Sequence, residues 1–118
     1  MDTVLEMLPR LGALITMLIG LAGFFKPTVI TDGCDISLNS SKAFSEVRGI
    51  FGGIMLGLGG AALALGDPNV YLALGLAWSG ATLARFASMA MDGSTIGESI
   101  PPILIDGTAA ALALSSQL

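Results

Sequence analysis

The chain contains no histidine and a single cysteine, Cys34. A histidine-ligated haem or zinc site is therefore excluded for this chain alone, as are an internal disulfide and a Cys-x-x-Cys site. Basic residues are also scarce, with five Lys and Arg against nine Asp and Glu, a net charge of −4 and no basic patch. We therefore expect no nucleic-acid partner, no metal and no cofactor.

Charge of either sign is rare in this sequence. Charged residues make up 12% of the 118 residues, against about 25% in soluble domains. Hydrophobic residues make up 53%, and the mean hydropathy is +0.83. A soluble fold of this length cannot hide so much apolar surface, so lipid must cover part of it. The composition predicts an all-α, integral membrane four-helix bundle, with residues 1–118 forming one domain.

Four apolar segments are long enough to cross a hydrocarbon core of about 30 Å as helices. They cover approximately residues 5–25, 42–66, 70–91 and 100–116. The sequence Asp67-Pro68-Asn69 is a turn, Asp92-Gly93 ends the third helix, and Ser99 is a candidate N-cap for the fourth. Residues 27–41 are predicted to form one long loop.

The charges near the helix ends predict an orientation. Four crossings place both termini on one side of the membrane and the long loop on the other. Lys26, Lys42 and Arg48 flank the loop side, against Arg10 on the terminal side. The positive-inside rule then predicts cytoplasmic loops and periplasmic termini in a bacterial inner membrane. Because Asp2, Glu6 and Arg10 give the start of the chain a net negative side-chain charge, we expect a retained span there and not a signal peptide.

Small residues recur at helical spacing in two of the segments. Gly49, Gly53 and Gly57 are four residues apart and share one helix face, and alanines recur similarly along the third segment. Such faces let helix backbones approach closely. Because a short turn joins the second and third helices, we expect these two helices to pack together. A dimer interface is the alternative.

Four ionisable residues lie inside the predicted spans. Glu46 and Arg48 follow the start of the second helix, Arg85 precedes the end of the third, and Asp106 follows the start of the fourth. All four are predicted to lie roughly 6–9 Å below the loop-side surface. A charge inside a membrane costs about 2.5–3.5 kcal/mol on insertion scales. We therefore expect each arginine to be matched by Glu46 or Asp106.

Two interpretations of this charge cluster remain open. It fixes helix register only, or it forms a polar pocket that binds a headgroup or carries protons. No serine, cysteine or carboxylate pair has the partners that nucleophilic catalysis requires, so we expect no catalytic residues and no enzyme.

The string Ser45-Glu46-Val47-Arg48-Gly49-Ile50-Phe51-Gly52-Gly53, together with Arg85 and Asp92-Gly93, resembles a group of small four-helix bacterial membrane proteins. That group is catalogued as a domain of unknown function. Its pattern has an acidic residue in the fourth helix, which here corresponds to Asp106 in place of the more usual glutamate. The resemblance covers roughly residues 5–115. It implies four helices in a bacterial membrane, and no activity.

Two functions compete at this point. The first is a binding or accessory subunit that holds a lipid, a quinone-like molecule or a polar headgroup, or that docks on a larger membrane complex. The second is a small proton-coupled transporter acting as a homodimer, with Asp106 or Glu46 as the proton site. An enzyme acting on lipids is a third class, which the absence of a recognisable catalytic group disfavours.

Overall fold

Four long apolar helices dominate the computed structural model, which describes residues 2–118 without the side chain of Asp2. Within these residues the chain is helical and contains no strand. The stretches long and apolar enough to cross a membrane, here called the first to fourth spans, are Thr3–Phe25, Ser41–Leu65, Pro68–Met91 and Ile96–Gln117. The predicted all-α fold is confirmed, and its four apolar helices fit a multi-pass membrane protein.

The second span is continuous but is not a uniform α-helix. It consists of α3, a π-helical segment with one extra residue per hydrogen-bonded turn, and α4, whereas the other spans are almost entirely α-helical. The elements are α1 (Asp2–Phe25), α2 (Pro27–Gly33), α3 (Ser41–Val47), the π segment (Arg48–Ile54), α4 (Met55–Leu65), α5 (Pro68–Met91) and α6 (Ile96–Leu114), with a final 3-10 turn (Ser115–Gln117).

The predicted long loop contains the short helix α2. Pro27 is its first residue, where the missing backbone N–H costs nothing and the fixed φ angle suits a helix. Pro27 and Thr31 are buried, because α2 folds back against α1 and the π segment. Lys26-Pro27 therefore separates two helices, whereas the sequence analysis predicted only a loop after the first span.

The fourth span begins one turn earlier than predicted. Thr95 is the N-cap, and its hydroxyl accepts from the Glu98 backbone N–H at 3.1 Å. The Glu98 carboxylate in turn accepts from the Thr95 N–H at 3.0 Å, completing a capping box. The prediction of Ser99 as the cap is therefore wrong. Ten residues separate Ile96 from Asp106, so Asp106 lies about 15 Å along the helix.

The spans pack in the order second, first, fourth, third. α1 packs along α4 and the π segment on one side and along α6 on the other, and α5 packs mainly on α6. The second and third spans contact each other only slightly, chiefly through α4. The prediction that these two spans pack together is therefore wrong. The tight turn at Gly66 (φ 63°) and Asp67 connects them without placing them side by side.

The buried core lies where all four spans meet. Tyr71, Leu74 and Trp78 of the third span are surrounded by small residues of the other three. These small residues are Ala13, Ala62, Ala109, Ala110 and Ala113. Large apolar side chains lie mainly outside, including Leu11, Leu18, Leu83 and Leu104. Lipid contact accounts for this inverted arrangement, since lipid is as apolar as these side chains.

The glycines that bring helices together are not those predicted. A Cβ atom on Gly49 or Gly57 would meet nothing within 4 Å, and one on Gly53 only a backbone oxygen of its own helix at 3.9 Å. The first and second spans meet instead at Gly20 and Gly23 and at Gly52 and Gly59, where a Cβ would lie 2.7–2.8 Å from the nearest atom. The four-residue spacing identified a small-residue face, but this face points away from the bundle.

Candidate functional site

An ion pair joins the third and fourth spans inside the bundle. Arg85 Nε donates to Asp106 Oδ2 at 3.0 Å. Asp106 is buried (4% exposed), whereas 41% of the Arg85 side chain is exposed. Neither Nη group of Arg85 has a hydrogen bond to another described residue, and neither does Asp106 Oδ1. The opposite charges of Arg85 and Asp106 make the pair neutral overall. The two Nη groups of the guanidinium remain available to a further partner.

The helix directions explain why these two side chains meet. Cα–Cβ bonds tilt toward the N-terminus of a helix. Arg85 lies in the last two turns of α5, so its side chain points back toward the middle of the bundle. Asp106 lies on the antiparallel helix α6 and points toward the loop side, which is the end of the bundle that carries the connections 26–40 and 92–95. Arg85 thus extends inward to its partner and does not snorkel to the nearer surface.

Arg48 makes a different contact, with the end of the first span. Its Nη1 donates to the backbone carbonyl of Phe24. Phe24 is in the last turn of α1, where carbonyls have no partner within the helix. The guanidinium therefore caps the C-terminal end of the first span, where the helix dipole also favours a cation. The prediction that a carboxylate matches Arg48 is wrong.

Glu46 is exposed on α3 and has no ion pair or side-chain hydrogen bond with another described residue. The four predicted charges therefore do not form one network. Two of them meet between the third and fourth spans, while the other two lie on the second span. The sequence grouped them by depth, but depth does not specify which helices are neighbours.

A polar stripe on the third span runs past the ion pair to the loop side. Its members are Thr82, Arg85, Ser88 and Asp92, three or four residues apart and so on one helix face. Ser88 Oγ donates to Asp92 Oδ2 at 2.8 Å. The sequence analysis missed Thr82 and Ser88 and assigned Asp92 only to the helix end, although the spacing of all three was visible in the sequence.

Ser99 adds a further hydroxyl group to this region, from the fourth span. It lies seven residues before Asp106 on the same face of α6 and is 6% exposed. Its hydroxyl has no hydrogen bond to another residue of the described chain. Buried hydroxyls normally have a partner, so this position has capacity for a water molecule or a ligand group.

These features fit a small multi-pass membrane protein with an ion pair between two of its spans. A family model described as Domain of unknown function (DUF4345) matches residues 4–114. The chain belongs to this family. No curated protein and no solved structure matches the chain.

Proposed function

We propose that the protein is a membrane-embedded binding subunit that holds the polar group of an amphiphile, such as a lipid or a quinone-like molecule, at Arg85. The observation that carries this proposal is the open guanidinium of Arg85 inside a membrane span. Its Nε is held by buried Asp106, and its Nη groups have no partner in the described chain. Exposing these donors to acyl chains would be costly, so a polar partner is required there.

The chemistry of the pair indicates the kind of group that binds. The guanidinium presents donors in a planar fork, which suits two oxygen atoms of one headgroup or a carbonyl. Because Asp106 already neutralises the charge, the pair exerts little net attraction on an anion. A neutral or weakly charged acceptor, such as an ester or quinone carbonyl, therefore fits better than a multiply charged one.

Native mass spectrometry of protein extracted gently from its own membrane tests this proposal. We expect the wild type to carry at least one reproducible extra mass that Arg85→Gln loses and Arg48→Gln retains. Arg48→Gln is a matched control because it removes the same charge at another contact. A wild-type protein that emerges bare under conditions that preserve known lipid complexes would contradict the proposal.

The same measurement tests whether the protein is an accessory subunit of a larger membrane complex. The open glycine face of the second span supports this version of the proposal, because a partner helix can approach it closely. A second polypeptide of constant mass in the spectrum would identify the partner. A reproducible homodimer would instead support self-association.

Proton-coupled transport is a second candidate function, favoured by the position of Asp106. This carboxylate lies near the midpoint of the fourth span and is buried, deeper than the sequence predicted. Intramembrane carboxylates at such depth serve as proton sites in transporters. Proton release on substrate addition to reconstituted protein, abolished by Asp106→Asn, would favour transport over static binding.

A further inference from the structure

A cavity of about 300 Å³ opens on the terminal side, the end of the bundle opposite the loop side. It lies between the start of the first span, the start of the third and the end of the fourth. Its lining includes Glu6, Arg10, Tyr71 and Ser116. A volume of this size falls at the lower end of the range for small-molecule sites. It is separate from the Arg85–Asp106 pair.

Neither charged residue of the cavity, Glu6 or Arg10, has a salt bridge with another residue that the structure describes. Glu6 and Arg10 are one helical turn apart, a spacing at which such side chains commonly pair. No salt bridge joins them in residues 2–118, and both side chains are exposed. One positive and one negative group therefore line the same cavity without neutralising each other by direct contact.

Tyr71 supplies a third polar group from the inner wall of the cavity. The residue is only 5% exposed, and it lines the cavity. Its hydroxyl has no hydrogen bond to another described residue. A buried phenol normally finds a partner, so an acceptor inside the cavity would satisfy it.

The depth of these groups matches the headgroup layer of a membrane. Glu6 lies one turn from the start of the first span, and Tyr71 lies one turn from the start of the third. Tyrosine is itself enriched at this level. Exposed apolar side chains of the first span, such as Val4 and Leu11, lie next to this region and can contact acyl chains.

We propose that the cavity binds the headgroup of a zwitterionic phospholipid of the phosphoethanolamine type. The phosphate accepts hydrogen bonds from the Arg10 guanidinium and the Tyr71 hydroxyl, and the primary ammonium donates to the Glu6 carboxylate. Arginine matches phosphate geometry, and an ammonium–carboxylate bond is charge-assisted. A choline headgroup has no N–H to donate, and a glycerol headgroup brings no cation to Glu6.

The test is a lipid titration of the purified protein in detergent, followed by native mass spectrometry. The probes are phosphatidylethanolamine, phosphatidylcholine and phosphatidylglycerol with identical acyl chains. We expect the wild type to prefer phosphatidylethanolamine by about tenfold, the effect of one charge-assisted hydrogen bond. Equal binding of the three lipids would overturn the proposal.

Three variants separate the contacts. Glu6→Gln should remove the preference over phosphatidylglycerol, Arg10→Gln should weaken all three lipids, and Tyr71→Phe should weaken all three to a smaller degree. Lys42→Gln, on the loop side, is the charge-matched control and should change nothing. Because Glu6 and Arg10 are exposed, their variants are expected to fold, which a thermal melt verifies. An unchanged lipid preference in folded Glu6→Gln would overturn the assignment of the ammonium.

Competition with soluble compounds distinguishes a lipid headgroup from free phosphate. Glycerophosphoethanolamine should displace the bound phosphatidylethanolamine, because both charged ends are recognised. Inorganic phosphate at the same concentration should not displace it. Equal displacement by inorganic phosphate would overturn the proposal and define a simple anion site.

Discussion

Trp78 Nε1 donates to Thr16 Oγ1 at 2.9 Å, and this hydrogen bond joins the third span to the first through the interior. The Thr16 hydroxyl in turn donates a hydrogen bond to the Gly12 carbonyl at 2.8 Å. Both side chains are buried, so neither has water as an alternative partner. Because α1 and α5 otherwise contact each other little, this bond is their main polar connection.

Replacing the acceptor should destabilise the bundle. Thr16→Val keeps the shape of the side chain but leaves the Trp78 indole N–H buried without a partner. We expect a loss of about 1–3 kcal/mol in the free energy of unfolding, measured by denaturation in mixed detergent micelles. Thr16→Ser retains the hydroxyl and should cost less. If Thr16→Val and Thr16→Ser proved equally stable, the hydrogen bond would not contribute to the fold.

The Arg85–Asp106 pair should behave as a coupled unit. Asp106→Asn alone leaves the guanidinium without its counter-charge, and Arg85→Gln alone leaves a buried carboxylate unpaired. Removing one partner of a buried pair costs about 3–5 kcal/mol, and less is expected here because Arg85 is partly exposed. The double variant Arg85→Gln/Asp106→Asn should recover part of the loss.

Thermal stability of the four proteins in one detergent measures this coupling as a double-mutant cycle. Additive losses would show that the two residues act independently. The control is Arg48→Gln, introduced into the wild type and into Asp106→Asn. The change in thermal stability that it causes should be the same in both backgrounds.

Much of the fold is readable from the sequence because the membrane imposes simple rules. Length and hydropathy alone define four spans, and the turn at Asp67 and the end near Asp92 follow from local turn chemistry. The early start of the fourth span was missed, although Thr95 and Glu98 have the spacing of a capping box. Its effect is large, since it places Asp106 one turn deeper in the membrane.

The arrangement of the helices could not be predicted from the sequence by these rules. Lipid and protein interior are equally apolar, so hydropathy does not show which face of a span points inward. This is why Gly52 and Gly59 were missed in favour of Gly49, Gly53 and Gly57. For the same reason, the sequence analysis placed Arg85 and Asp106 among the interacting charges but did not identify them as a pair. Their contact depends on the third and fourth spans being neighbours.

The capping box makes a separate prediction about the fourth span. Thr95→Ala removes the side-chain acceptor for the Glu98 N–H and should cost about 1 kcal/mol in stability. The effect should be local, because the box lies outside the buried core. Amide hydrogen exchange should therefore increase over residues 96–100 and remain unchanged near Asp106. Thr95→Ser should preserve protection, and increased exchange throughout the fourth span would instead show that the cap stabilises the whole helix.

Two glycine substitutions contrast the observed helix contact with the predicted one. Gly23→Ala places a Cβ 2.7 Å from the backbone carbonyl of Phe51, so the first and second spans must separate. Gly57→Ala points into open space, where it should be neutral or stabilising by up to about 1 kcal/mol because alanine favours helices. We expect Gly23→Ala to be clearly less stable than both the wild type and Gly57→Ala in a thermal melt. The opposite order would mean that the glycine face at Gly57 makes the closer helix contact, within the bundle or with a second copy of the chain.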